Sequence, residues 1–123
     1  MVRVLTVDDH APFLEVAHEL MRATPGFESA GEANSAEQGL AAVDAEHPDL
    51  VLVDINMPEM SGIEVAQRIK QSGNGQVVVL ITAQDLAQLP AAARSCGAAD
   101  VISKQQLGPA TLRRLWEAHG QAA

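Results

Sequence analysis

Residues 50–62 read Leu-Val-Leu-Val-Asp-Ile-Asn-Met-Pro-Glu-Met-Ser-Gly, an apolar run of four residues that stops at an acid. A short, continuously apolar run is typical of a strand that lies inside a parallel sheet with helices over both faces. Asp54 then follows the last apolar residue of that strand. In open α/β sheets the ligand site lies beyond the carboxyl ends of the strands. This stretch therefore predicts both a fold class and the place where a site should lie.

The rest of the chain repeats the pattern of a strand followed by a helix. Strand-like segments cover residues 2–7, 27–33, 50–53, 77–81 and 101–103. Helix-like spacing covers 12–23 and 36–46, continues after Gly62 through Ile69, recurs briefly before Gly97, and runs from Pro109 to about Ala118. Before the second helix, Ser35 and Gln38 have the spacing of a capping box. Alternating strands and helices predict one parallel sheet with right-handed crossovers and helices on both faces.

Composition limits the classes of function. The chain has 123 residues, enough for one domain, and sixteen acidic residues against eight basic ones give a net charge of −8. Such a charge argues against this domain binding a nucleic acid backbone itself. No apolar run is long enough for a membrane span, and the sequence enters its first strand directly after Met1, so we expect a cytoplasmic protein without a signal peptide. The single cysteine, Cys96, excludes an internal disulfide and a cysteine-based zinc site.

Reactive side chains follow four of the five strand-like segments. Asp8 and Asp9 follow the first, Asp54 the third, Thr82 the fourth and Lys104 the fifth. Since parallel strands end at the same edge of a sheet, these side chains should converge there. Carboxylates 4 Å apart repel by about 1 kcal/mol per pair in water and about 4 kcal/mol near a protein surface. A cation among them would offset that repulsion.

Magnesium is the cation that suits this group, because it is a hard ion held by a few carboxylates and carbonyls. Lysine supplies a point charge for a phosphoryl oxygen, and threonine supplies a hydroxyl donor. Carboxylates act as nucleophiles toward phosphoryl groups. The reaction this arrangement predicts is phosphoryl transfer onto Asp54, with the protein contributing position and charge.

These residues also resemble a known family. The segments Val7-Asp8-Asp9-His10, 52–62, Ile81-Thr82-Ala83 and Ser103-Lys104 look like those of a receiver domain from two-component response regulators. The resemblance covers essentially the whole chain and looks closest to receivers of LuxR/NarL-type transcription factors. It implies a flavodoxin-like, three-layer (βα)5 fold with strand order 2-1-3-4-5. It also implies a receiver domain over 1–119, with 120–123 as a tail or the start of a linker.

The resemblance implies specific roles at the acidic end of the sheet. Asp54 would accept the phosphoryl group from the phosphohistidine of a sensor histidine kinase. Asp9, Asp54 and the backbone carbonyl of Asn56 would bind Mg²⁺ directly, and Asp8 would act mainly through water. Lys104 would pair with Asp54 before phosphorylation and with the phosphoryl group afterwards.

The resemblance also implies how the signal leaves the site. Thr82 would move inward to bond a phosphoryl oxygen and carry the change toward the fourth helix, fifth strand and fifth helix. Asn56 and Gln84 occupy positions at which the family tunes the lifetime of the phosphate. The domain would be a switch rather than an enzyme, with at most self-catalysed phosphorylation and dephosphorylation, and it could form a homodimer when phosphorylated.

Three positions depart from the family pattern. Val101 replaces the aromatic residue that usually lies three before the lysine, so no ring is available to swing between exposed and buried positions. Gln105 replaces the usual proline after the lysine. Pro90 falls within the usual fourth helix, and because proline fits only a first turn, we expect that helix to begin near Leu89 or Pro90 after a looser segment 84–88.

Other classes of protein use parts of the same pattern. A flavodoxin-type cofactor binder would need a phosphate-cradling loop after the first strand, where Asp8 and Asp9 would repel phosphate. A haloacid-dehalogenase-like phosphatase carries its nucleophile after the first strand, whereas here the candidate follows the third. An adaptor that works without phosphorylation would be expected to lack part of the acid pocket. We expect the receiver of a protein with a separate DNA-binding domain, and the alternatives are a stand-alone regulator and such a phosphorylation-independent adaptor.

Overall fold

The predicted α/β fold and strand order are confirmed by the structure, a computed structural model that describes residues 1–120. Five parallel strands form one sheet in the order β2-β1-β3-β4-β5. In chain order the strands and helices are β1 (Val2–Val7), α1 (Ala11–Ala23), β2 (Phe27–Ala33), α2 (Ala36–Glu46), β3 (Leu50–Asp54), α3 (Gly62–Ser72), β4 (Val77–Thr82), α4 (Ala92–Ser95), β5 (Asp100–Ser103) and α5 (Pro109–His119). Two 3₁₀ turns, Leu86–Gln88 and Lys104–Gln106, follow β4 and β5.

Alternating residues of the central strand, β3, pack into two separate cores. Val51 and Val53 point into the core shared with α2, α3 and α4, whereas Leu50 and Leu52 point into the core shared with α1 and α5. All five residues of β3 are buried, which explains its uninterrupted apolar sequence. The two cores pack against both faces of the sheet, so they fix the backbone positions of the residues at its carboxyl end.

The fourth helix begins later than the sequence predicts. We expected it near Leu89 or Pro90, but α4 covers only Ala92–Ser95. Leu89 is extended, with ψ 148°, as is usual for a residue before proline, and Pro90 accepts a hydrogen bond from the amide of Ala93 at 3.0 Å. The segment 84–88 is also more ordered than expected, because it contains a 3₁₀ turn capped by the Asp85 carboxylate.

The ends of two other helices refine the sequence prediction. The Ser35 hydroxyl accepts a hydrogen bond from the amide of Gln38, as the capping box requires, but the Gln38 side chain reaches the amide of Asn34 instead of Ser35. At the other end of the chain, Gly120 follows α5 and its amide bonds the carbonyl of Trp116. The rest of the expected tail, 121–123, lies outside the described residues. Over residues 1–120 no helix has both the length and the apolar character needed to cross a membrane.

Gly62 holds α3 directly against the strand end that carries Asp54. Its amide donates to the carbonyl of Ile55 at 2.9 Å. A Cβ atom added at this position would lie 2.2 Å from the Asp54 carbonyl oxygen and 3.0 Å from the Ile55 Cα. Since these are backbone atoms, only glycine allows so close an approach here.

Gly62→Ala is therefore expected to lower the stability of the fold by about 1–3 kcal/mol, the usual cost of overpacking. Thermal unfolding measures this as a fall in Tm of roughly 3–5 °C per kcal/mol. Gly108→Ala is the matched control, because an added Cβ there meets nothing within 4 Å and the φ of −172° suits alanine. Equal melting of the two variants would contradict the close approach at Gly62.

Candidate functional site

Three carboxylates meet at the carboxyl end of the sheet. Asp8 directly follows β1 and is fully buried, Asp54 is the last residue of β3 and is 6% exposed, and Asp9 is exposed. One carboxylate oxygen from each lies within 4.8 Å of the other two. The fold thus brings together the three acids that the sequence singles out.

Lys104 brings an ammonium group to the same cluster. Its Nζ lies 2.6 Å from Asp8 Oδ2 and 3.4 Å from Asp54 Oδ2, and the centroid of the Phe13 ring is 4.5 Å away. Nζ donates a hydrogen bond to Asp54 Oδ2, the resting contact that the resemblance implies, and lies closer still to Asp8. Asp8 has no exposed surface, so the ammonium is nearest to the carboxylate that water cannot solvate.

The same small turn closes four of the strand ends, a feature that the sequence analysis missed. In each case a side-chain oxygen accepts a hydrogen bond from the amide two residues later, at 2.8–3.2 Å: Asp8 from His10, Asp54 from Asn56, Thr82 from Gln84 and Ser103 from Gln105. Asp, Ser and Thr are residues that favour such turns, so their position at a strand end, two residues before an exposed polar residue, was the available signal. Each turn fixes one oxygen and therefore orients the rest of the side chain.

Thr82 and Asn56 are placed differently from the acids. Thr82 is fully buried at the end of β4, and within residues 1–120 its hydroxyl bonds the amide of Gln84 and none of the acids. Asn56 is exposed and holds Asp54 Oδ1 through its backbone amide. Thr82 thus lies next to the cluster in the sheet, whereas Asn56 is connected to the cluster by the hydrogen bond from its backbone amide.

A divalent cation fits these residues. Asp8 Oδ2 is buried and, in the part of the chain that the structure describes, it makes no hydrogen bond of regular geometry and has the Lys104 ammonium at 2.6 Å as its counter-charge. A buried carboxylate oxygen with one monovalent counter-charge, beside two further carboxylates, belongs to a hard-oxygen donor set of the kind Mg²⁺ prefers. Asp8, Asp9 and Asp54 are the residues that would hold the ion.

Burial and charge act in opposite directions on the two central groups. Burial raises the pKa of Asp54 above its ordinary value; the Asn56 amide opposes this, the Asp8 charge adds to it, and Lys104 opposes it. For Lys104, burial alone would lower the pKa, but the contact with Asp8 and the charges of Asp54 and Asp8 outweigh burial and raise it. The ammonium is therefore firmly protonated, while ionisation of Asp54 costs the folded state free energy.

Asp54→Asn is expected to raise the unfolding midpoint in chelator at pH 7. The pKa of Asp54 is higher in the folded than in the unfolded chain, so ionisation costs stability at neutral pH, and that cost disappears as the pH falls to the unfolded value of 3.8. The amide cannot ionise and keeps an oxygen for Asn56. Melting curves in chelator at pH 7 and pH 4 test this. A relief of about 1 kcal/mol would raise Tm by a few degrees at pH 7, and the rise in Tm at pH 4 should be smaller.

The same variant should lose most of the stabilisation that added Mg²⁺ gives to the parent, because a ligand that binds only the folded state raises its stability. A variant that melts lower than the parent in chelator, and gains as much from Mg²⁺, would show that Asp54 is not part of the acid cluster.

Lys104→Met is expected to lower stability by about 2–4 kcal/mol in chelator, because it leaves the buried Asp8 carboxylate without its counter-charge. Added Mg²⁺ should recover more of the Tm in this variant than in the parent, since the ion then supplies the missing positive charge. Lys70→Met is the matched control, because Lys70 is exposed and the chain has no third lysine. If both variants melt alike, the ion pair with Asp8 does not contribute to stability.

Comparison with known proteins gives one consistent family. A family model for the response regulator receiver domain matches residues 4–116. The nitrate/nitrite response regulator NarL of Escherichia coli K12 is 34% identical over 77 residues, 62% of this chain and 36% of NarL. The protein-glutamate methylesterase/protein-glutamine glutaminase of Desulfotalea psychrophila is 34% identical over 107 residues, 85% of this chain and 29% of that protein.

The structural comparison agrees. The solved signal receiver domain of the response regulator assigned as NarL in Mycobacterium tuberculosis is 30% identical, with a TM-score of 0.83 over 93% of this chain and 95% of that domain. The chain spans about half the length, or less, of the curated relatives it matches. Receiver domains bind Mg²⁺ at an acidic pocket and take phosphate from histidine kinases. The matched family model and the cluster of acids at the sheet edge lead to one conclusion: the chain belongs to the response regulator receiver domain family.

Proposed function

We propose that this domain is a phosphorylation-dependent switch in which Asp54 accepts a phosphoryl group from the phosphohistidine of a sensor histidine kinase, with Mg²⁺ bound. The observation that carries the proposal is the position of the Lys104 ammonium, 2.6 Å from Asp8 and 3.4 Å from Asp54 within the cluster of three acids. An acceptor carboxylate, a cation site and a fixed ammonium are the groups that phosphoryl transfer to an aspartate requires.

The carboxylate of Asp54 is held in a suitable orientation for this reaction. Its Oδ1 accepts the Asn56 amide at 3.0 Å, and its Oδ2 faces Lys104. A carboxylate oxygen of Asp54 attacks phosphorus, the bond from phosphorus to the imidazole nitrogen breaks, and that nitrogen keeps the electron pair. Magnesium, when bound by Asp8, Asp9, Asp54 and the Asn56 carbonyl, supplies positive charge for the phosphoryl oxygens. Lys104 supplies a second positive charge to the same oxygens.

The change would leave the site through Thr82. A phosphoryl oxygen on Asp54 offers the hydroxyl proton of Thr82 a new acceptor, and inward movement of that hydroxyl would lengthen or break the hydrogen bond that it accepts from the Gln84 amide. Gln84 directly precedes the Asp85-capped 3₁₀ turn that leads to α4. Val101 is a buried core residue of β5, so side-chain swinging at that position is not part of this route. The segment 84–91 would pass the change to the surface of α4, β5 and α5.

The wider role follows from the relatives. The similarity to a transcriptional regulatory protein of Bacillus subtilis supports output through transcription. We propose that a DNA-binding domain outside this chain carries that output, that phosphorylation leads to dimer formation, and that the location is cytoplasmic. The alternatives are a stand-alone regulator and an adaptor that acts by protein binding without phosphorylation. The similarity to a methylesterase receiver keeps a non-transcriptional output open. As a regulator with either output the domain would be a phosphoacceptor rather than an enzyme, and as an adaptor it would act by binding alone.

Incubation with acetyl phosphate and Mg²⁺ is expected to add one phosphoryl mass to the intact protein, because Asp54 is the acceptor. Intact mass spectrometry measures the gain, which should disappear with chelator and in Asp54→Asn. Asp44→Asn removes an exposed aspartate of α2 and should be phosphorylated like the parent. No gain in the parent under any condition would favour the adaptor, and a gain that survives in Asp54→Asn would exclude Asp54 as the acceptor.

A further inference from the structure

The aromatic ring of Phe13 lies beneath the Lys104 ammonium. Nζ is 4.5 Å from the ring centroid. Phe13 is in the first turn of α1 and is half-buried against the core that α1 shares with α5. The face of an aromatic ring attracts a cation within about 6 Å of its centroid, and more strongly when water is excluded. The Lys104 side chain is only 15% exposed, so the contact is largely desolvated.

Lys104 needs such a partner because its charge is difficult to hold in place. A lysine ammonium is strongly hydrated and sits on a flexible stem of four carbons. Asp8 and Asp54 attract it, but their attraction falls when a bound cation neutralises the acids. The ring neither ionises nor binds the metal, so its attraction does not depend on the state of the acids.

We propose that Phe13 is a positioning residue for Lys104, holding the ammonium at the acid cluster through the face of its ring. The consequence for catalysis rests on the function proposed above, whereas the contact itself does not. Phe13 acts only through Lys104, and it has no assigned contact with the phosphoryl group.

The composition of the chain permits a clean test. It contains two lysines and two phenylalanines, and the second member of each pair provides a control. Lys70 is exposed on α3. Phe27 is buried in the same core as Phe13 at the opposite, amino-terminal end of the sheet, where β2 begins. Phe13→Leu removes the ring but keeps an apolar side chain, Phe13→Tyr keeps the ring, and Phe27→Leu makes the same change away from the site.

The first readout is the NMR signal of the lysine ε-methylene groups in lysine-labelled protein, without phosphate donor. Protons over a ring face are shifted upfield, so the Lys104 signal should lie upfield of the Lys70 signal in the parent. Phe13→Leu should lose that displacement, whereas Phe13→Tyr and Phe27→Leu should keep it. The second readout is the rate of phosphorylation by acetyl phosphate at saturating Mg²⁺, which should fall about three- to tenfold in Phe13→Leu and stay near the parent rate in the other two.

The outcomes separate the two proposals. An unchanged Lys104 signal in Phe13→Leu overturns the positioning role, and so does an equal loss in Phe13→Leu and Phe13→Tyr, which would indicate ordinary packing. A changed signal with an unchanged phosphorylation rate also overturns it, because the ring would then contact Lys104 without supporting transfer. If the parent is not phosphorylated at all, the proposed function fails, and the NMR comparison alone decides whether Phe13 holds Lys104.

Discussion

Mutual repulsion among Asp8, Asp9 and Asp54 is the constraint on which the site depends. Their oxygens lie within 4.8 Å of one another, and two of the three side chains are buried, so water screens them poorly. Other features of the sheet edge reduce this cost. Amides of His10 and Asn56 bind one oxygen each of Asp8 and Asp54, and Lys104 supplies one positive charge. Three negative charges and one positive charge leave two negative charges, which a divalent cation would neutralise.

The sequence predicts the fold and the meeting of the acids because both depend on local patterns. The run 50–53 identifies a strand covered on both faces, and parallel strands necessarily end at the same edge. The nearer contact of Lys104 with Asp8 could not be predicted in this way. It depends on which carboxylate is buried more deeply, and that depth is a property of the folded chain rather than of the residues next to Asp8 in the sequence.

Phe13 and the fourth helix show two further limits of sequence reasoning. The spacing of Phe13 indicates only that it faces inward on α1, and its contact with Lys104 joins positions far apart in the sequence. Pro90 correctly predicts that the fourth helix begins late, but the helix begins at Ala92 and not near Leu89 or Pro90. The residue before a proline avoids the helical conformation, so Leu89 remains extended and the helix begins after the proline.

Pro90 also limits which molecular surface this receiver can offer to a partner. Its ring and missing amide hydrogen prevent α4 from growing by further turns toward its amino terminus, in any state of Asp54. A partner that approaches between β4 and α4 therefore meets a 3₁₀ turn and extended backbone in place of a regular row of helical side chains. Recognition at this edge would rely on loop shape and main-chain polar groups, which a receiver with an uninterrupted fourth helix could not offer in the same arrangement.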